Sequence, residues 1–325
     1  MGRFLQARFI SRPNRFTALV ELPDGPIARA HVADPGRLRE LLFEGNQVLL
    51  APKEGGGLPY RLVAARSGGG WVLIDSRVHN DIAQLVLAHI PYLSAFGSLR
   101  REVALGEHRI DFKLDGYWLE VKGCTLVKNG IAYFPDAPTV RGLGHVRLLK
   151  AQPSAGVLFL VMARAELMAL NFATDPAFSE ELVSSHLDLF AFSFNFDGEA
   201  LEPLGLVPVT REKDARSVLP FLSKLKRAVE AYNRYHEPEA RYDVVEVNRD
   251  SFVLALTGSV SVSCCLFDYI DDIIYEGDLG EWEVMCWKEN GGQFLVRYAL
   301  RGEELDIPRG WISTRDRGRC LLPHR

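Results

Sequence analysis

The chain has 325 residues, which is long for one typical domain and suits two or three. Its residues are 47% hydrophobic and 25% charged, which is ordinary for a globular protein with buried cores. No run of 18 or more apolar residues occurs, so a membrane span is not expected. The N-terminal residues lack the apolar stretch and cleavage site of a secretory signal, so we expect a cytoplasmic protein.

The cysteine pattern argues against both a disulfide framework and a structural zinc site. There are five cysteines, an odd number, and no C-x-x-C motif occurs. We expect all five to be reduced. They are Cys124, Cys264, Cys265, Cys286 and Cys320.

The charge is unevenly distributed along the chain. The formal net charge of -4 by itself argues against a nucleic-acid partner. However, residues 1–80 hold 11 Lys and Arg against 7 Asp and Glu, whereas residues 81–204 hold 10 against 15. Residues 205–325 hold 17 against 20. A basic segment followed by an acidic one fits a phosphate-binding module joined to a carboxylate-bearing site, although so small an excess is common.

Residues 1–78 predict a small barrel made of short strands. Apolar and β-branched segments alternate with glycine-rich turns. The predicted strands are 4–10, 16–22, 27–32, 48–51, 60–65 and 71–75. Residues 36–42 have helical periodicity over one or two turns, ending at Gly45. This pattern is typical of a closed barrel of the oligonucleotide-binding (OB) type, and a small barrel without a ligand is the alternative.

Residues 79–203 predict a mixed α/β domain with helices packed on a central sheet. An amphipathic helix over 80–90 is followed by three strands. Thr139 is suited to cap a helix that runs through Lys150. The nearly continuous apolar run over 156–162 is typical of a strand that is covered on both faces. The other predicted elements are strands 101–105, 110–114, 117–121 and 189–196 and a helix over 176–186. A short segment over 131–134 is expected to pack beside the three strands.

Residues 204–325 predict an accessory α+β domain of unknown role. Prolines and a charged segment make residues 203–216 the predicted linker. A helix over 220–235 and strands over 244–247, 252–256, 282–287 and 294–300 follow. The apolar strand 294–296 suggests that this unit binds an unknown partner, and an ordinary core accounts for it equally well. The sequence does not indicate an oligomeric state.

Three charged side chains are predicted to converge in the central sheet. Glu120 and Lys122 lie two apart on one strand, so they project from the same face. A tight turn at Asp115-Gly116 would fold the strand carrying Asp111 back beside them. Carboxylate oxygens suit Mg²⁺ or Mn²⁺, which can activate water and neutralise charge on a phosphate. An edge hairpin with solvated charges is the alternative, and the spacing alone does not exclude it.

A longer motif follows these residues. It consists of E-V-K over 120–122, T-L over 125–126, F-P-D-A-P-T-V-R-G over 134–142, and His145. It resembles the run E-V-K, T-L, F-P-D-A-x-T-x-R-G and a later histidine of the sugar fermentation stimulation protein A family. Segments 8–16, 31–38 and 174–178 are also similar to that family. The resemblance covers about residues 3–200.

The resemblance implies an OB-type barrel joined to a PD-(D/E)xK nuclease-like domain that binds DNA. It also implies an association with the regulation of sugar utilisation. By matching position, Asp111, Glu120 and Lys122 become the catalytic triad, with Asp111 and Glu120 as metal ligands. Arg141 and His145, which lie four apart on one helix face, are expected to contact the phosphate or its leaving oxygen. The alternatives for them are an ion pair and a surface histidine.

Other site residues are predicted from the same resemblance. Many nucleases with this core have a glutamate on the first helix, where this chain offers Asp81 and Gln84. Glu102, on the first strand, is a candidate third metal ligand or an ordinary surface glutamate. Three arginines of the barrel are predicted phosphate contacts: Arg12, Arg15 and Arg37.

The chain departs from the family where Asp34-Pro35 replaces a common asparagine and hydroxyl residue, which weakens the expected anion contact there. The sequence is therefore compatible with two functions. One is a Mg²⁺- or Mn²⁺-dependent nuclease, and the other is a DNA-binding regulator that does not cleave. The sequence does not decide between DNA and RNA or between single and double strands.

Overall fold

A computed structural model describes residues 4–53, 55, 57–68, 70–259 and 266–314. Of the cysteines, Cys124 and Cys286 are buried free thiols, and Cys264, Cys265 and Cys320 lie outside the described residues. No helix in the described part of the chain is long and apolar enough to cross a membrane.

The predicted N-terminal barrel is confirmed. Its strands are β1 (Leu5–Asn14), β2 (Thr17–Glu21), β3 (Ile27–His31), β4 (Gln47–Pro52) and β5 (Tyr60–Ser67). They pair in the order β3-β2-β1-β4-β5, and a parallel pairing of Ala30 with Tyr60 closes the ring. Alternate residues such as Ala18, Val20 and Leu50 are fully buried inside it. Closure by β3 and β5 leaves no open edge in the barrel.

The helix predicted over 36–42 is wrong. Its residues form only turns, in which the amides of Leu41 and Leu42 both donate to the carbonyl of Leu38. Leu38 has a left-handed backbone with φ of 49°, which a continuous right-handed helix cannot contain. Leu38 and Leu41 are nevertheless buried. The apolar spacing therefore reflects packing against the barrel and not a helix.

The sheet of the barrel continues into the central domain. After β6 (Gly70–Leu73) and a short 3₁₀ turn (Ser76–Val78), the chain forms α1 (His79–Leu87) and α2 (Pro91–Ser94). The strands that follow are β7 (Leu99–Leu105), β8 (His108–Leu114), β9 (Tyr117–Cys124), β10 (Leu126–Lys128) and β11 (Ile131–Phe134). Then come α3 (Val140–Lys150), β12 (Ala155–Val161), β13 (Leu167–Leu170), α4 (Pro176–Val183) and β14 (Asp188–Phe196).

Strand β12 lies at the centre of this domain. It pairs in parallel with β9 on one side and with β14 on the other, and all seven of its residues are buried. This agrees with the apolar run seen in the sequence, because a strand covered on both faces has no solvent side. The full order is β3-β2-β1-β4-β5-β6-β14-β12-β9-β8-β7.

A second sheet runs from the central domain into the C-terminal part. The C-terminal elements are β15 (Leu201–Leu206), β16 (Val209–Thr210), a 3₁₀ turn (Ala215–Val218), α5 (Leu219–His236), β17 (Arg241–Val247) and β18 (Ser251–Thr257). They continue with α6 (Leu266–Glu276), β19 (Trp282–Asn290), β20 (Gln293–Leu300) and β21 (Ile312–Ser313). The sheet order is β10-β11-β13-β16-β17-β18-β20-β19-β21, so β16 joins the two parts.

The prediction of a loose linker over 203–216 is wrong, because residues of this segment form strands and buried contacts. Residues 201–206 form an edge strand on β14, where a proline is tolerated because one side needs no amide donor. Val209 and Thr210 are fully buried in β16. The guanidinium of Arg211 donates to the carbonyls of Leu182, Ser185 and Leu187. Composition alone indicated a loose segment, whereas these contacts hold it firmly in place.

Candidate active site

The hairpin of β8 and β9 brings the three predicted charged residues together. The two strands are antiparallel, with Phe112 opposite Leu119. Asp111 lies on β8, and its Oδ2 accepts a hydrogen bond of 2.8 Å from the amide of Val121. This contact places the Asp111 carboxylate between Glu120 and Lys122 on the neighbouring strand. Because Glu120 is only 3% exposed, the site is not a solvated edge hairpin.

Glu120 is the centre of the hydrogen-bond network. Its Oε1 accepts from Lys122 Nζ and contacts Nδ1 of His145. Its Oε2 is buried and has no hydrogen-bond partner. Burial raises the pKa of Glu120, but the charge of Lys122 and the hydrogen bond from His145 outweigh it and leave that pKa below its ordinary value. Glu120 is therefore ionised at neutral pH, and its Oε2 has no hydrogen-bond partner to share the charge.

The pKa of Asp111 is shifted in the opposite direction from that of Glu120. Burial and then repulsion from Glu120 raise its pKa, although hydrogen bonds from Val121 and Asn80 and the charge of Lys122 act against them. Two neighbouring carboxylates are thus only partly compensated by one lysine. An added positive charge would stabilise both of them in the ionised form.

Helix α3 supplies His145 and Arg141. It begins as predicted at Thr139, whose Oγ1 accepts from the amide of Gly142 at 3.1 Å. His145 is 3% exposed, so the surface-histidine alternative is wrong. Arg141 Nε donates to His145 Nε2 at 3.4 Å. Because Nε2 accepts this bond, the ring proton lies on Nδ1 and is donated to Glu120.

The sequence reasoning missed Asn80, the second residue of α1. Its Nδ2 donates to Asp111 Oδ1 at 3.0 Å and to Glu102 Oε1 at 2.9 Å. The two α1 side chains that were considered instead, Asp81 and Gln84, contact Arg101 outside the site. Asn80 and Gln84 are four apart and share one helix face, so helical periodicity is the signal that could have pointed from Gln84 to Asn80.

Glu102 reaches the site only through Asn80. Its side chain is exposed, and its backbone has a positive φ of 53°. Within the described ranges, no three His, Cys, Asp or Glu side chains converge in a way that could hold a metal ion. The carboxylates of Asp111 and Glu120 are close enough for the charge of Glu120 to raise the pKa of Asp111. A direct role for Glu102 as a third ligand stays a prediction.

The barrel arginines have different environments. The guanidinium of Arg12 donates to the carbonyls of Arg15, Asp34, Gly36 and Arg37, so it holds the β1–β2 hairpin to the loop after β3. Arg15 and Arg37 themselves are exposed. Arg12 thus has a structural role beside its predicted phosphate contact, and all three phosphate contacts stay predictions.

The loop after β3 also contacts the central domain. A Cβ added at Gly36 would lie 2.7 Å from a carboxylate oxygen of Asp136, in the loop that leads to α3. Asp34 faces inward, and its Oδ1 accepts from the amide of Gly36 at 2.6 Å. Burial, with repulsion from Asp136, raises the pKa of Asp34 to about 6. The barrel loop and the loop before Arg141 are therefore packed together.

Comparison with known proteins matches the same two regions. Residues 10–74 match the family described as the SfsA N-terminal OB domain. Residues 77–198 match the Sugar fermentation stimulation protein RE domain. Both family matches end before the C-terminal part of the chain begins.

Relatives that match this chain over most of their own length agree with these family matches. A sugar fermentation stimulation protein homolog of Thermoplasma acidophilum is 39% identical over 209 residues, which are 62% of this chain and 90% of that protein. The homolog of Saccharolobus solfataricus is 38% identical over 217 residues, covering 64% of this chain and 87% of the homolog. The homolog of Methanothermobacter thermautotrophicus is 42% identical over 195 residues, which are 56% of this chain and 81% of that protein.

A solved structure supports the same assignment. SfsA of Pyrococcus furiosus, described as a complex with Ca²⁺, superposes with a TM-score of 0.59 at 25% identity. The match covers 64% of this chain and 96% of that chain. Sequence and structure thus agree over the OB-type barrel and the α/β domain that follows it. The chain belongs to the sugar fermentation stimulation protein family and carries further C-terminal strands beyond the matched regions.

Proposed function

We propose that this protein binds DNA and hydrolyses nucleic-acid phosphodiester bonds with Mg²⁺ or Mn²⁺ at Asp111, Glu120 and Lys122. The observation that supports this most strongly is the buried Glu120 beside Asp111, with Oε2 left without a hydrogen-bond partner. A binding surface alone does not account for two neighbouring carboxylates, Glu120 buried and Asp111 partly buried, because burying charge is costly.

The residues present fit a hard divalent cation. Mg²⁺ is commonly bound by one or two carboxylates, with waters and phosphate oxygens completing its shell. Asp111 and Glu120 supply such a pair, and burial and the charge of Glu120 raise the pKa of Asp111, which a bound cation would offset. The Pyrococcus furiosus relative is described as a complex with Ca²⁺, another cation that takes oxygen ligands. When bound, such an ion makes water a better nucleophile and neutralises charge on a phosphate.

The remaining side chains have complementary roles in this proposal. Lys122 Nζ lies at Glu120 and has two further N–H groups for a phosphate oxygen or a water. His145 orients the Glu120 carboxylate through Nδ1, so it acts as a positioning residue. Arg141 binds His145 through Nε and has a fork of terminal N–H groups for the phosphate. Asn80 keeps Asp111 in place from the first helix.

A cleavage assay tests the proposal. Labelled single- and double-stranded DNA and RNA are incubated with the protein in Mg²⁺, in Mn²⁺ or in EDTA. We expect products with metal, none in EDTA, and loss of at least 100-fold in rate for Asp111→Asn and Glu120→Gln. DNA binding in EDTA should be nearly unchanged in both variants, since neither removes a basic group. Equal loss of binding and cleavage would contradict the assigned roles.

The second candidate is a DNA-binding regulator, related to sugar metabolism, that does not cleave. One observation favours it. Lys122 and His145 already occupy Glu120 Oε1, and Asn80 bridges Asp111 and Glu102, so much of the site is satisfied internally. Salt-sensitive binding without products in any metal would select this function.

A further inference from the structure

Phe16, at the tip of the β1–β2 hairpin, is an aromatic ring exposed beside the barrel arginines. Half of its surface, 50%, is exposed to solvent. One face of the ring stacks on His31 at the end of β3, with ring centroids 6.5 Å apart and planes within 21°. Burial in the core does not explain this position, and a half-exposed ring has an apolar face available for contact.

The backbone around Phe16 is held in place. Its amide donates to the side chain of Asn14 at 2.9 Å, and its carbonyl accepts from Val32 at 3.0 Å. The guanidinium of Arg12 binds the neighbouring carbonyl of Arg15 and ties the hairpin to the loop after β3. The ring is therefore presented on a rigid support, which reduces the entropy lost when a ligand binds.

Two exposed arginines belong to the same part of the barrel as this ring. Arg15, next in sequence, and Arg37, in the loop that Arg12 holds, are both exposed. The Asp34 carboxylate in the same loop accepts a hydrogen bond from the amide of Gly36 and is only partly exposed, which limits the negative charge that it presents to solvent. An aromatic face flanked by arginines complements a base and its adjacent phosphates.

The same surface leads to the candidate active site. The loop that Arg12 holds contains Gly36, which packs against Asp136. Asp136 lies in the loop that precedes α3, and the first turn of α3 carries Arg141. Packed loops thus connect the hairpin that carries Phe16 to the start of the helix that carries Arg141.

We infer that Phe16 is a stacking platform for an unpaired base, and that the nucleic acid bound by this protein is single-stranded or locally unpaired. The inference rests on the proposed function and specifies its substrate class. In a duplex the faces of the bases are covered by their neighbours, whereas in a single strand each base has an open face for Phe16. Such stacking tolerates any sequence, because every base has a π-face.

The test measures equilibrium binding by fluorescence anisotropy in EDTA, so that no cleavage intervenes. The probes are a labelled 20-nucleotide oligo-dT strand, an abasic strand of the same length, and a duplex of the same length. The variants are Phe16→Ala, Phe16→Leu, Phe16→Tyr and Arg15→Ala. Phe43→Ala is the matched control, because Phe43 is 52% exposed and also belongs to the barrel. The turn that contains Phe43 forms a hydrogen bond with the backbone of Phe9, and Phe9 lies about 16 Å along β1 from the hairpin tip.

We expect Phe16→Ala and Phe16→Leu to weaken oligo-dT binding about tenfold and to leave abasic and duplex binding within twofold. Phe16→Tyr should bind like the parent, and Phe43→Ala should change nothing. Arg15→Ala should weaken all three probes and reduce the salt dependence of binding. Leu keeps the apolar volume of the side chain, so a folding defect of the alanine variant would not obscure the result.

Equal losses on oligo-dT and abasic strands, or no loss on either, would overturn the stacking role while leaving nucleic-acid binding intact. A parent protein that binds duplex more tightly than oligo-dT would overturn the single-strand assignment. A parent that binds none of the probes would remove the proposed function itself, and with it this inference.

Discussion

At the scale of single residues, His145 acts together with Lys122 to keep Glu120 in its charged form. The imidazole donates through Nδ1 to the same oxygen that Lys122 binds, and it is buried. A hydrogen bond to the charged form of a carboxyl group lowers its pKa. Removing His145 therefore raises the pKa of Glu120, since the effect of burial is then opposed by Lys122 alone.

We predict that His145→Ala lowers metal-dependent cleavage about 10- to 100-fold near neutral pH, in the range found for residues that orient a metal ligand. The acid limb of the pH profile should shift to higher pH, because Glu120 loses its charge at a higher pH than in the parent. A pH–rate profile in Mn²⁺ checks this, with Arg147→Ala on the exposed side of α3 as control. A loss of the same size at every pH would contradict the positioning role.

Asp34 gives a second residue-level prediction, about stability. Its pKa is raised from 3.8 to about 6 in the folded state, so the unfolded chain holds its charge more easily. The resulting penalty on folding is absent below pH 4, grows between pH 4 and 6, and is constant above pH 6. Asp34→Asn keeps the acceptor for Gly36 and removes the charge.

We expect Asp34→Asn to stabilise the fold by about 1–2 kcal/mol at pH 8, after discounting the shift for partial exposure. The gain should shrink steadily as the pH falls from 6 to 4. Thermal unfolding at pH 8, 6 and 4 measures it. A gain that does not depend on pH would show that the carboxylate charge is not its source.

At the scale of elements, α1 packs against β9 through one close contact. A Cβ added at Gly123, directly after Lys122, would overlap the imidazole of His79. His79 is buried, and burial lowers its pKa to about 4, so the ring is neutral. The contact sets the distance between the helix that carries Asn80 and the strand that carries Glu120.

We predict that Gly123→Ala destabilises the protein by about 1–3 kcal/mol, the range for overpacking in a core. It should also reduce cleavage, because Asn80 and Lys122 both flank this contact. His79→Ala combined with Gly123→Ala should recover most of the stability, since the small side chain makes room for the new methyl group. Urea unfolding of the two single variants and the double variant measures the coupling. Simple additivity of the two losses would argue against direct contact.

The sequence predicted these elements well where a local rule controlled them. Thr139 caps α3 because its hydroxyl meets an otherwise free amide, and β12 is continuous and apolar because both faces are covered. The prediction over 36–42 failed because burial of Leu38 and Leu41 requires apolar residues at helical spacing without requiring a helix. Asn80 was missed for a related reason, since its role depends on a contact between α1 and β8 that no local pattern records.

At the scale of the whole molecule, the C-terminal part is built onto the central domain. Strand β16 pairs in parallel with both β13 and β17, which makes one continuous sheet. The apolar strand considered as a partner-binding surface is β20, whose Phe294, Leu295 and Val296 are buried. That strand is used internally, and binding of an unknown partner by the C-terminal part stays a prediction.

An ion pair with little solvent exposure reinforces this connection. Lys288 on β19 pairs with Asp188 at the start of β14, whose Oδ2 also accepts from the hydroxyl of Tyr117 at 2.7 Å. The ammonium lies 4.9 Å from the ring of Tyr92 and 5.0 Å from the ring of Trp311. Because Asp188 and Tyr117 belong to the same domain as the candidate active site, the C-terminal part and that domain should unfold together.

We predict that Lys288→Met destabilises the protein by about 3–5 kcal/mol, because it leaves the buried Asp188 carboxylate without its counter-charge. The double variant Lys288→Met, Asp188→Asn should regain most of this loss, since no unpaired charge remains and the amide still accepts from Tyr117. Chemical unfolding followed by tryptophan fluorescence and by far-ultraviolet circular dichroism checks both the size and the cooperativity. The two signals should coincide in one transition for the parent and the double variant. Two separated transitions in the parent would mean that the shared sheet does not couple the C-terminal part to the domain that holds Asp111 and Glu120.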